Sequence, residues 1–96
     1  MEERFYIREH DRTTAGGIVL DGITDTENAE QKRLSHLYAT IRCPACNSDG
    51  FIAPWGDRPD DEIDGKQPAL HMDICKCQCE PPPRLLASDR SMSVWV

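Results

Sequence analysis

Cys43-Pro44-Ala45-Cys46 and, after 28 intervening residues, Cys75-Lys76-Cys77-Gln78-Cys79 constrain this chain more than anything else in it. Two short cysteine hooks held apart by a long loop are what a closed tetrahedral metal site requires, and soft thiolates select Zn²⁺, Cu(I) or iron–sulfur clusters. The competing use of five cysteines is a disulfide framework, which belongs to oxidising compartments. The N-terminus, Met1-Glu2-Glu3-Arg4-Phe5-Tyr6, has neither the basic start nor the apolar run of a signal peptide, and an odd thiol count leaves one cysteine unpaired. Metal binding, with one structural zinc as first candidate, is therefore the expectation, and a reducing cytoplasm the expected place of synthesis.

A metal has structural work to do in a chain of this size. Ninety-six residues make one domain, 1–96, and only eighteen of them are Leu, Ile, Val or Phe, below the roughly 20% at which charged chains drift toward disorder. A structural zinc contributes about 10–16 kcal/mol in small peptide systems, enough to make up for a small core. The formal charge of −6 argues against nucleic acid, whose phosphates attract basic surfaces, and there is no stripe of Lys and Arg. No apolar run approaches the length of about 18 residues needed for a membrane helix, so no stable membrane insertion is expected.

The pattern along the chain is mostly short strands and turns. Phe5-Tyr6-Ile7 and Ile18-Val19-Leu20 predict strands flanking the polar turn Asp11–Gly17, and Gly50-Phe51-Ile52-Ala53 predicts a returning strand after the first hook. Residues 54–68 form a loop, followed by a strand around Asp73–Cys79 that Pro81-Pro82-Pro83 must end, because proline lacks the amide donor. Thr24 with Glu27 as a capping box, and Leu34, Leu37, Tyr38 and Ile41 at helical spacing, predict one short helix over 25–38.

A weak internal repeat underlies this pattern. Asp11 precedes Ala15, Ala39 precedes Cys43 and Asp73 precedes Cys77 by the same four positions, with 28 and 34 residues between successive copies. Three copies imply a pseudo-threefold.

Together, Asp11-Arg12-Thr13-Thr14-Ala15-Gly16-Gly17, Cys43-Pro44-Ala45-Cys46 and Asp73-Ile74-Cys75-Lys76-Cys77-Gln78-Cys79-Glu80-Pro81-Pro82-Pro83-Arg84-Leu85 resemble PAAR-domain proteins, the zinc-bearing tips of the bacterial type VI secretion spike. The resemblance spans nearly the whole chain and points to the branch with a Cys-Pro-x-Cys hook and a Cys-x-Cys-x-x-Pro-Pro-Arg ending. It implies a mainly β fold, a small zinc-stapled cone of short β-hairpins with pseudo-threefold symmetry. It further implies that the base of the cone caps a trimeric VgrG spike, one chain per trimer, sharpening it for membrane puncture and carrying effector cargo in some cases. The chain would be a monomer when free, cytoplasmic when loaded and then secreted through the apparatus, with no fused effector domain. Many family members place a histidine ligand where this chain has Ala15, and glycine where it has His10, Tyr38 and Met72.

Choosing four ligands from five thiols is a question of reach. Alternate residues of a strand sit about 6.6–6.8 Å apart along it, whereas Zn–S bonds of about 2.3 Å require sulfurs within roughly 4 Å of one another. Three cysteines in a row cannot share one ion, and the proline run makes a bend beside Cys79 more natural than one before Cys75. Cys77 and Cys79 are also the positions that align with the family pattern, so the expected ligands are Cys43, Cys46, Cys77 and Cys79, with Cys75 a buried thiol. Cys75 or His71 remain alternates; His71 lies four residues before Cys75. His10 and His36 read as solvated or hydrogen-bonded. Trp55 reads as cover for a small core or an interface anchor, and Met92–Val96 as an apolar tail packed on the base or on a partner.

Catalysis is not expected. There is no Gly-x-Ser-x-Gly, phosphate loop or His-Glu-x-x-His, and four thiolates leave no open position on a metal for water. Two other classes of function remain: a stand-alone zinc-ribbon adaptor of an intracellular complex, and a copper or zinc carrier using Cys75-Lys76-Cys77-Gln78-Cys79.

Overall fold

Strands of two or three residues have no stability by themselves and persist only when neighbours satisfy their backbone groups on both sides. The computed structural model describes residues 2–27, 31–58 and 62–96. It meets this requirement by wrapping the short strands into an almost closed surface. The elements are β1 (Glu3–Phe5), β2 (Arg12–Thr13), β3 (Ile18–Val19), β4 (Thr40–Cys43), β5 (Ser48–Ala53), β6 (Ile74–Lys76), β7 (Leu85–Leu86) and β8 (Ser93–Trp95). Six of them form one antiparallel sheet in the order β6-β5-β4-β3-β2-β7, and a bridge between Ile74 and Arg84 joins its two ends. The fold is mainly β, as expected. Among the described residues no helix is long and apolar enough to cross a membrane.

The internal repeat is visible as a closed cycle of backbone hydrogen bonds. Ile7 N donates to Ala69 O (2.9 Å), Ala69 N to Ser35 O (3.1 Å) and Ser35 N to Ile7 O (2.8 Å). These three residues are 28 and 34 positions apart, the intervals of the repeat. The flanking bridges Tyr6–Leu70, Arg8–Leu34 and His36–Pro68 follow the same rotation. From this ring each copy makes a tight turn, closed by Asp11 N to Arg8 O, Ala39 N to His36 O and Asp73 N to Leu70 O. The third residue of each turn is left-handed: His10 at φ 68°, Tyr38 at 69° and Met72 at 74°. Side chains other than glycine adopt that conformation at a cost of about 1–2 kcal/mol. Here it is held because the same three residues donate to Val19 O, Ile52 O and Leu85 O. Glycine would sit in each turn without that strain.

After the turns the chain rises along β2, β4 and β6 and returns along β3, β5 and β7. Ile7, Val19, Ile41, Ile52, Cys75 and Leu85 are fully buried and pack into one cluster with Ala39 and Ala69. Two corners are tied by buried carboxylates. Asp11 accepts from Arg8 N and from the Ser88 hydroxyl, while Asp73 accepts from Leu70 N and Trp55 N and pairs with the guanidinium groups of Arg4 and Arg58. Trp55 lies between Arg4 and Arg84, whose guanidinium carbons are 5.6 and 4.7 Å from the ring centroid, so it covers a polar corner and not the apolar core.

The helix expected over 25–38 does not form. Asn28, Ala29 and Glu30 lie outside the described residues; Leu34 and His36 sit in extended bridges and Leu37–Tyr38 in a turn. Leu34, Leu37 and Ile41 are all buried, but their spacing serves a strand, a turn and a second strand. Their amides are satisfied across the fold: Ser35 N by Ile7 O, Leu37 N by Gln67 O and Leu34 N by the Thr26 hydroxyl. The capping box expected at Thr24 and Glu27 has no helix to cap; Thr26 instead donates its hydroxyl to Ile23 O. The C-terminal tail becomes β8, which pairs antiparallel with β1 from Phe5–Ser93 to Glu3–Trp95. This pair forms a two-stranded sheet of its own, separate from the six-stranded one.

Candidate metal centre

The first hook is the turn of the β4–β5 hairpin. Cys43 ends β4 opposite Ser48, Asn47 N donates to Pro44 O, and Asn47 takes a left-handed φ of 52° that brings Cys46 back over the hairpin end. The second hook leaves the end of β6, where the chain bends at Cys77–Gln78 and again before the proline run, in which the Glu80–Pro81 peptide is cis. What brings the two hooks together is Gly50. A Cβ at that position would lie 2.3 Å from Lys76 O and 2.9 Å from Cys77 Cβ, so only a residue without a side chain lets β6 come this close to β5.

The result is a cluster of four sulfurs. Those of Cys43, Cys46, Cys77 and Cys79 all lie within 4.8 Å of one another. Cys43 is the hub, 3.7 Å from both Cys77 and Cys79. Four thiolates at 2.3 Å from a tetrahedral ion would be about 3.8 Å apart, so the closest pairs already have the spacing of a zinc-type site. Cys43 is buried and the other three are half-buried. The donor set and its spacing fit a soft or borderline divalent ion.

Electrostatics explain why a cation is wanted here. Burial, together with close contacts to the neighbouring thiols, pushes Cys79 well above the ordinary thiol range, and burial likewise raises Cys77. Cys46 is the exception: a hydrogen bond with the Ser48 hydroxyl, at 3.0 Å, brings it down to about 6 against the opposing effect of burial. One thiolate is therefore readily formed, and each further negative charge is opposed by those already present. A divalent cation removes that opposition, and its binding releases protons.

Of the residues singled out in the sequence, the four expected ligands come together and the alternates do not join them. Cys75 points into the apolar core, in the repeat position that Thr13 and Ile41 occupy in the other copies, and burial raises its thiol to about 12. His71 sits at the opposite end of its copy, where its Nδ1 accepts from Ala87 N at 3.0 Å. His10 is exposed on its turn, and His36 Nδ1 lies 2.9 Å from Leu37 O. Sequence reasoning missed Ser48 and Gly50. An isolated glycine within a strand pattern signals close backbone approach, which was the available clue for Gly50. No family model, curated protein or solved structure matches this chain.

Proposed function

We propose that this chain is the zinc-stapled tip of a type VI secretion spike, capping a trimeric VgrG protein with one chain per trimer. The observation that carries the reading is the closed cycle of Ile7, Ser35 and Ala69, with its three equivalent turns at His10, Tyr38 and Met72. A single chain that repeats its backbone three times about one axis matches a partner with three identical subunits, because each subunit end can meet an equivalent corner. A zinc-ribbon adaptor has no use for such a repeat. A carrier built on Cys75, Cys77 and Cys79 is disfavoured by the position of Cys75 in the core and by the pairing of the later thiols with Cys43.

In this reading Cys43, Cys46, Cys77 and Cys79 hold one Zn²⁺. Bound there, the ion supplies structural cross-linking and no reactive water, since all four positions are thiolate. The four cysteines come from the β4–β5 hairpin turn and the segment after β6, and shared ligands would keep these two parts from separating under load. The test is direct: elemental analysis of the purified protein is expected to return one zinc per chain, and mixing with purified trimeric spike to give a complex of one chain to three. Absence of a complex at micromolar concentrations overturns the capping role.

A further inference from the structure

The four sulfurs are placed to serve a second kind of cross-link. We propose that Cys43, Cys46, Cys77 and Cys79 form two disulfides between the hooks when the protein meets a peroxide, so that a covalent staple takes over from the metal one. The inference rests on the reading of these four thiols as one site.

Geometry supports it first. Cys43 lies 3.7 Å from both sulfurs of the second hook, and a disulfide needs an S–S separation of about 2.05 Å, so small side-chain movements suffice. Whichever of Cys77 and Cys79 joins Cys43, the other is left with Cys46, and all four sulfurs are within 4.8 Å of one another. Both bonds then link the β4–β5 hairpin to the segment after β6, the same two parts that the metal would join. Accessibility supports it second. Cys46, Cys77 and Cys79 are half-buried, within reach of a small oxidant, whereas Cys75 is fully buried among Ile41, Ile52 and Leu85 and has no place in the exchange.

The chemistry balances. A half-exposed thiolate attacks hydrogen peroxide, giving a sulfenic acid and hydroxide; a thiolate of the other hook then attacks that sulfur, forming the S–S bond and expelling a second hydroxide. Two such rounds consume two peroxides and four thiolates and yield two disulfides and four hydroxides. Once oxidised, the sulfurs carry no charge with which to hold a cation, so any metal bound by them would be released. For a protein made in a reducing compartment and exported into an oxidising one, the consequence is a point that stays stapled in both.

The experiment oxidises the intact metal-loaded protein with hydrogen peroxide and follows metal release, thiol count, disulfide map and melting temperature. The expected result is loss of one metal equivalent and of four thiols, with Cys75 the one cysteine still alkylated after denaturation. Peptide mapping is expected to show only bonds joining Cys43 or Cys46 to Cys77 or Cys79. The oxidised form should melt well above the reduced, metal-free form, and Cys75→Ala should leave the map unchanged. Bonds within a hook, sulfinic acids in place of disulfides, consumption of Cys75, or an oxidised form no more resistant to heat than the reduced metal-free one would overturn the proposal. Metal content of the untreated protein is read beforehand and bears on the zinc reading alone, so the two can fail separately.

Discussion

The sulfurs of Cys43 and Cys79 are 36 residues apart in the chain and 3.7 Å apart in space. That contact joins the turn of the β4–β5 hairpin to the segment after β6. If a metal bridges it, its removal should be felt throughout the fold.

Cys43→Ala and Cys77→Ala are each expected to abolish stoichiometric metal binding and to lower the melting temperature to that of chelator-treated protein. Cys75→Ala, by contrast, is expected to keep one metal per chain and to cost about 1 kcal/mol or somewhat more from the small cavity it leaves in the core. Elemental analysis and denaturant unfolding of the three variants, side by side, measure both effects. Full metal retention by Cys43→Ala would remove the hub from the site.

Gly50→Ala places a methyl group 2.3 Å from Lys76 O, a backbone atom that cannot simply rotate away. β6 must move off β5, at an expected cost of about 1–3 kcal/mol. Because the same movement carries Cys77 away from Cys43, the variant is expected to surrender metal to a competing chelator faster than the parent protein. The same substitution at Gly65, where nothing lies within 4 Å of the added carbon but φ is +77°, should strain the backbone without changing metal retention.

Asp73 is fully buried and joins the guanidinium groups of Arg4 and Arg58. Its replacement by alanine leaves two cations facing each other at a corner of the ring, so Asp73→Ala should cost about 3–5 kcal/mol. Asp11→Ala removes a carboxylate bonded to an amide and a hydroxyl and no guanidinium, and is expected to cost less, about 1–3 kcal/mol. Urea unfolding of the pair decides whether the ordering holds.

His71 accepts a hydrogen bond from Ala87 N, which an imidazolium cannot do. Burial lowers its pKa below the ordinary 6.5, and the charges of Arg90 and Arg4 lower it further. The folded state thus favours the neutral ring. Its contribution is whole above the unfolded value and is lost as pH falls through the lower folded value. The stability gap between the parent and His71→Gln should therefore be constant above about pH 6.5 and narrow below it. Measuring the gap, and not the parent alone, separates this from the proton sensitivity of the thiols.

The sequence was legible wherever chemistry depends on residue type and short spacing. Four soft donors in two hooks predict a cluster whatever surrounds them, and Cys43, Cys46, Cys77 and Cys79 do converge. The intervals of 28 and 34 residues reappear in the ring of Ile7, Ser35 and Ala69. The segment containing Leu34, Leu37 and Ile41 was misread for an instructive reason: apolar residues three and four apart suit one face of a helix, and equally a bridge, a turn and a strand whose inward positions happen to fall there. Local spacing could not tell them apart because the deciding hydrogen bonds go to Ile7 and Gln67, far away in sequence.

What the amino-acid order determined alone is therefore the inventory of the protein: its thiol donors, its strand-and-turn character, and a threefold recurrence too faint to show how the copies meet. Which thiol faces the core and which the cluster was decided by tertiary structure, since Cys75 lies within β6 and Cys77 just past its end, where the chain bends, and the fold places different neighbours opposite them. Ile52 stands across the sheet from Cys75, while Gly50 leaves room for Cys77 to reach Cys43. Burial and proximity are properties of the assembled surface, and no residue carries them by itself.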